Sequence, residues 1–193
     1  METRQEMKEK RRFTYEDYLT WDDDNRYELI DGEVFDMAPA PSPTHQSISM
    51  ELSGQFRNSL IGKLCKVFAA PFDVRLQRSK RNDTVVQPDL LVICDPSKID
   101  KRGCKGAPDL VIEITSPFSA THDCIRKFNV YQDAGVREYW IVDPYRKIVT
   151  VSTLENNRYV STEYDNKSKI HVSVLEDCEI DLSTVYPDIV EDE

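Results

Sequence analysis

The chain has 193 residues, 39% of them hydrophobic and 31% charged, with a formal net charge of −10. That length suits one domain with its own core rather than two, so residues 1–193 are read as a single domain, and no apolar run approaches the roughly 18 residues of a membrane span. The charged N-terminal stretch METRQEMKEKRRF lacks the apolar segment of a secretory leader, and the five cysteines form no CxxC pair, so a cytoplasmic protein without a zinc ribbon or disulfide framework is expected.

In chain order, FTYEDYL reads as a short helix, with Thr14 and Asp17 at capping-box spacing. RYELIDGEVFDMA reads as a hairpin turning at Asp31-Gly32, a strong two-residue turn signal. APAPSP is a stiff connector. A helix is expected from about Thr44 to Leu60, because Ile48, Leu52, Phe56 and Leu60 recur every four residues and Gly62 follows. Three strands come next, KVFAA, FDVRLQ and TVVQPDLLVIC, the last two joined by the basic loop RSKRND. Cys65 and Cys94 fall in these apolar segments and read as core residues.

The strand PDLVIEITS follows, then a helix from about Thr121 to Ala134 that Gly135 closes, then the strand EYWIVD. Tyr139 and Trp140 read as sheet-packing residues. A C-terminal hairpin, KIVTVSTL and RYVSTEY, turns at Asn156-Asn157. The chain thus divides into a core at about 26–145, a hairpin region at 146–175 and an acidic tail at 176–193. That tail holds eight acidic and no basic side chains and carries most of the charge deficit. Elsewhere the bias reverses. Arg57, Lys63, Lys66, Arg75, Arg78, Lys80 and Arg81 cluster in 55–82, and Lys98, Lys101, Arg102 and Lys105 precede the next strand. Both clusters read either as solvated loops or as a phosphate-facing rim.

The two most apolar strands each carry an acid, Asp89 in one and Glu113 in the other. A carboxylate in a strand core is costly unless something pairs with it. Neighbouring central strands would bring the two acids together, where they repel, and a hard divalent cation would remove the conflict. A pair with a basic side chain is the other account of Glu113. On the following helix Asp123, Lys127 and Tyr131 line one face at i, i+4, i+8. Lys127 then either stabilises charge on a phosphate or makes a surface ion pair with Asp123. His45, at the start of the long helix, could meet a phosphate or serve as an ordinary helix-start residue. His122 and His171 read as solvated or remote, and Glu51 as a helix acid within reach of the sheet.

Pro88-Asp89, then Glu113 in a buried strand, then a helix bearing a lysine resembles the PD-(D/E)XK nuclease superfamily, the restriction-endonuclease-like fold. More closely, RYELIDGEVFDMAPAPSPTHQ, QPDLLVIC, PDLVIEITSPFS and KFNVYQDAGVREYWIVDP resemble the Uma-two family of endonucleases, over roughly residues 26–145. The resemblance implies an α/β (α+β) fold with an α-β-β-β-α-β core. A mixed central sheet would be flanked by helices, with hairpins at either end of the chain. It implies that Asp89, Glu113 and the main-chain carbonyl of Ile114 bind magnesium or manganese, and that Asp89, Glu113 and Lys127 are catalytic. The superfamily lysine stands two residues after the glutamate, where this chain has Thr115, so the resemblance shifts that role to Lys127 on the next helix.

The expected function is a magnesium-dependent endonuclease acting on DNA, with a homodimer suggested by the need to cut two strands of a duplex. The rivals are an inactive nucleic-acid-binding or regulatory protein on a degenerate nuclease fold, and an assembly partner that uses the acidic tail.

Overall fold

The computed structural model describes residues 11–22, 25–37, 40–77, 82–116 and 120–187, leaving aside the side chains of 120–124. Local chemistry sets the first elements. Thr14 caps α1 (Tyr15–Tyr18) in a reciprocal capping box with Asp17. β1 (Tyr27–Ile30) and β2 (Glu33–Asp36) turn at Asp31-Gly32, both with positive φ, as the twist of a tight hairpin requires. Ser42 caps α2 (Pro43–Ser59), and Pro43 at its first turn has no amide to leave unsatisfied.

Four short strands follow: β3 (Lys66–Ala69), β4 (Val74–Arg75), β5 (Val85–Val86) and β6 (Leu90–Ile93). A 3₁₀ turn at Pro96–Lys98 leads to β7 (Ile99–Asp100) and β8 (Gly103–Lys105), then to β9 (Leu110–Ile114). α3 (Ala120–Ala134) is followed by β10 (Glu138–Asp143), the hairpin β11 (Ile148–Glu155) and β12 (Arg158–Asp165), and the ribbon β13 (Lys169–His171) and β14 (Glu179–Asp181). Asn156 and Asn157 turn the β11–β12 hairpin at positive φ.

The mixed α+β fold expected from the sequence is found, with its sheet divided. One six-stranded sheet runs β12-β11-β10-β9-β6-β3 and a second runs β2-β1-β5-β4-β8-β7. TVVQPDLLVIC, read as one strand, is two strands in different sheets, broken at Gln87-Pro88-Asp89. A proline lacks the amide that a continuous central strand would need there. Gly103 lets β8 pass close to β4, since a β-carbon on it would meet the Asp73 carbonyl oxygen at 2.1 Å.

Period-two alternation assigns the two faces of the larger sheet. Leu90, Val92, Leu110, Ile112 and Trp140 pack with Ile48, Leu52 and Phe56 of α2. Leu91, Ile93, Val111 and Tyr139 pack with Val130 and Tyr131 of α3 and with Ile30, Val74 and Val86 of the second sheet. Glu113 shares the parity of Val111, so its side chain is carried to the α3 side.

Two expectations are corrected. Cys65 and Cys94 are bonded to each other as a cross-strand disulfide, with Cα atoms 3.9 Å apart. They flank the paired residues Lys66 and Ile93 of β3 and β6, which sets them opposite one another. Residues 176–187 of the stretch read as a tail are part of the fold, for Cys178, Ile180, Leu182 and Val185 are buried against α2 and the larger sheet. No helix among the described residues is long and apolar enough to cross a membrane.

Candidate functional site

β6 and β9 are antiparallel neighbours, with Leu90 opposite Ile112. Carrying that register one place further sets Asp89 opposite Glu113, where the second sheet begins. The Asp89 side chain is 22% exposed, and its Oδ2 accepts the Ile114 amide at 2.8 Å and lies 3.2 Å from His45 Nε2. Glu113 is deeper. Its Oε1 accepts the Tyr131 hydroxyl at 2.8 Å and lies 3.1 Å from Lys127 Nζ.

Of the predicted face of α3, Lys127 and Tyr131 thus converge on one oxygen of Glu113, as their spacing of four anticipates. Lys127 is buried, not a surface ion-pair partner. The Asp123 and His122 side chains lie outside the described residues. So does the Arg78, Lys80, Arg81 part of the basic loop. Arg75 is no part of a basic rim: it is buried, bonded to Asp100 at 2.5 Å and stacked over Tyr15. Lys63 donates to the Glu176 carbonyl and Lys98 to that of Ala107, whereas Arg57, Lys66, Lys101, Arg102 and Lys105 are exposed. Glu51 is bonded to Gln55 and Thr184, away from the acids, and His171 is exposed on β13.

Sequence reasoning passed over Glu28. It stands in β1, 4% exposed, with Oε1 3.0 Å from Lys127 Nζ and 2.9 Å from the Gln87 amide that it accepts. The signal was present, since YELI places an acid in an apolar strand as LVIEI does, but in a shorter run. Gln87 extends the network: its side chain accepts from Arg26 and donates to Asp73 and to the Tyr18 hydroxyl.

The electrostatics follow from two carboxylates, Glu28 and Glu113, on one ammonium, with the Asp89 charge acting on Glu113 as well. Burial pushes the Glu113 carboxyl up to about 8, with Lys127 pulling the other way and Asp89 and Glu28 adding to the rise. Burial, with Glu113 and Glu28 nearby, holds the Tyr131 hydroxyl well above the ordinary phenol range. Burial works against charge on the His45 ring, yet Asp89 and the Ile114 backbone outweigh it and raise its pKa.

Among the described residues, Asp89 Oδ1 and Glu113 Oε2 take no hydrogen bond, and no three His, Cys, Asp or Glu side chains close into a metal cage. Two open carboxylate oxygens from neighbouring strands suit a hard cation that keeps several of its own waters. The donor set therefore fits magnesium or manganese better than zinc. A cleft lined by Arg12, Ile30, Phe35, Arg126 and the acids Asp31, Glu33 and Asp83 opens alongside. Its lining does not include Asp89, Glu113 or Lys127. It starts one position away, for Phe35 is the cross-strand partner of Glu28 and Arg126, stacked on Phe35 at 4.0 Å, precedes Lys127.

Residues 15–183 match the Uma2 family model, described as "Putative restriction endonuclease". An uncharacterized protein of Synechocystis sp. (strain ATCC 27184 / PCC 6803 / Kazusa) is 32% identical over 130 residues, a match that takes in 66% of this chain and 66% of that protein's length. The crystal structure of "a putative nuclease belonging to DUF820" from Anabaena variabilis superposes with a TM-score of 0.73, covering 90% of this chain and 97% of that one. At 19% identity that likeness speaks for the fold alone.

Proposed function

The chain belongs to the Uma2 family, and from that premise we propose that it is a metal-dependent endonuclease hydrolysing phosphodiester bonds of DNA. The observation that carries the reading is Glu113, a buried carboxylate opposite Asp89 with one oxygen held by Lys127 and Tyr131 and the other open. Asp89, Glu113 and the Ile114 carbonyl would hold magnesium or manganese. Such an ion supplies stabilisation of the charge developing on the phosphate and a more acidic water.

The chain's own groups do the rest. Lys127 presents an ammonium at the Glu113 carboxylate, where it would neutralise phosphate charge and orient the attacking water. Tyr131 fixes the Glu113 rotamer from beneath. His45 steadies Asp89 from α2. Arg12 and Arg126, at the adjoining cleft, would meet the nucleic-acid backbone. The water oxygen bonds to phosphorus, one phosphorus–ester oxygen bond breaks, and a water proton ends on the departing oxygen. A homodimer would present two such centres to the two strands of a duplex. The setting we assign is the cytoplasm, although the Cys65–Cys94 bond is of a kind uncommon there.

One observation favours a second reading, an inactive nucleic-acid-binding relative: Lys127 is drawn to Glu28 and Glu113 together, and Thr115 stands in the superfamily lysine's usual place. Incubating the purified protein with supercoiled plasmid separates the two. Nicking or linearisation is expected in magnesium or manganese and not in calcium, and Asp89→Asn should abolish it. Cleavage that persists in excess chelator would overturn the metal-dependent reading, and binding to plasmid with no cleavage would favour the inactive relative.

A further inference from the structure

Glu28 belongs to the second sheet, yet its charge is spent on the centre assigned to the first. Its side chain is 6% exposed, and one oxygen, Oε1, serves two partners, Lys127 Nζ at 3.0 Å and the Gln87 amide at 2.9 Å. Gln87 stands just before Pro88-Asp89, so the bond fastens Glu28 to the segment that delivers the Asp89 carboxylate. Lys127 Nζ lies 3.1 Å from Glu113 Oε1, so the ammonium sits between carboxylates from two strands.

The arrangement answers a geometric difficulty. A lysine two residues after the glutamate would have its place set by the strand itself. Lys127 comes from a helix, 14 residues beyond Glu113, on a long stem with much rotamer freedom. Glu113 restrains the ammonium from one strand, and Glu28 restrains it from another direction. A carboxylate serves better than a neutral acceptor, because charge-assisted bonds are shorter and stronger. Glu28 would also keep its hold on the ammonium when Glu113 shares its charge with a cation.

We propose that Glu28 is a positioning residue: with Glu113 it clamps the Lys127 ammonium and, through the Gln87 amide, registers it against Asp89. The proposal rests on the nuclease reading above, in which Lys127 acts on the phosphate.

Four full-length proteins test it: wild type, Glu28→Ala, Glu28→Gln and Asp89→Asn. Manganese-dependent cleavage of a linear DNA duplex gives kcat and KM, and thermal melts confirm folding. The exchange of the Lys127 ammonium protons, followed by 15N NMR of metal-free protein, reads the clamp without activity. Glu28→Ala is expected to lose about a hundredfold in kcat, the usual penalty for a displaced working group, while KM stays within about twofold because substrate contacts are intact. Its Lys127 ammonium should exchange rapidly where that of the wild type exchanges slowly. Glu28→Gln keeps an acceptor for both partners and should lose less, in kcat alone. If Glu28→Ala does not fold, Glu28→Gln carries the test.

Folded Glu28→Ala with wild-type kcat or a still-protected ammonium overturns the proposal, and so does folded Glu28→Gln with wild-type kcat. A part that was only structural would lower the melting temperature and leave kcat per folded molecule unchanged, which also overturns it. A wild type as inert as Asp89→Asn retires the nuclease reading instead, and the ammonium signal then decides the clamp by itself.

Discussion

Glu138 and Glu113 stand on adjacent parallel strands, β10 and β9, and both are glutamates buried in the same sheet. Their surroundings differ in kind. Glu138 has zero exposure and both oxygens are occupied by neutral donors: the Trp140 indole at 2.7 Å, the Ser173 and Val174 amides at 2.8 and 3.3 Å, and the Ser173 hydroxyl. It pins the segment that links the two strands of the C-terminal ribbon to the sheet. Glu113 has a lysine and a tyrosine on one oxygen, two acids nearby, and its second oxygen open. Burial of an acid is therefore no functional signal in itself. The signal lies in whether neutral groups saturate the carboxylate or whether charge is left for something else to balance.

The largest expected difference is in activity. Asp89→Asn and Glu113→Gln should each reduce plasmid cleavage by about a hundredfold or more, while Glu138→Gln keeps wild-type cleavage per folded molecule. Equal losses at Glu113 and Glu138, measured on folded protein, would erase the distinction. Stability should run the other way. Urea unfolding of Glu138→Gln is expected to show a loss of about 2–4 kcal/mol, since its new amide group faces donors. Glu113→Gln, without metal, should cost under about 1 kcal/mol, because Lys127 keeps Glu28 and the amide oxygen still accepts from Tyr131. A loss of about 3–5 kcal/mol at Glu113 would make it a structural ion-pair partner.

Magnesium at a hundred times its dissociation constant should stabilise wild type and Glu138→Gln by about 2.7 kcal/mol, and leave Glu113→Gln unmoved. Thermal melts with and without the ion decide this.

The two glutamates should also differ in how stability responds to pH. The folded-state pKa of Glu113 is raised to about 8, so the protonated acid is favoured in the fold. Its contribution is complete below the ordinary carboxylate range and is lost as pH rises through about 8. His45, also raised, adds a loss of the same sign above its ordinary range. Metal-free wild type should therefore weaken from pH 5 to pH 9 more than Glu113→Gln does, and the stabilisation by magnesium should grow over the same interval. Parallel pH profiles for the two proteins would contradict this.

What the sequence made legible was local. The Asp31-Gly32 and Asn156-Asn157 turns, the Thr14–Asp17 box and the glycine after α3 each state their geometry within a few residues. Asp89 and Glu113 stood out as charges in long apolar runs, and the spacing of Lys127 and Tyr131 gave their shared face. The division into two sheets was hidden because strand pairing is non-local, although Pro88 inside a strand pattern was a warning. Glu28 was hidden by the brevity of its strand, and the Cys65–Cys94 bond by a separation of 29 residues that only the β3–β6 pairing closes.

That bond has a practical consequence. It lies just beyond one end of β6, while Asp89 immediately precedes the other, only four residues of strand between them. Thiol reductants, a routine ingredient of nuclease buffers, would open it and leave β6 tied to β3 by the hydrogen-bonded ladder alone. Preparations made with and without reductant would then be two different covalent species. Activity figures from them should be compared only after the free thiols of each sample have been counted.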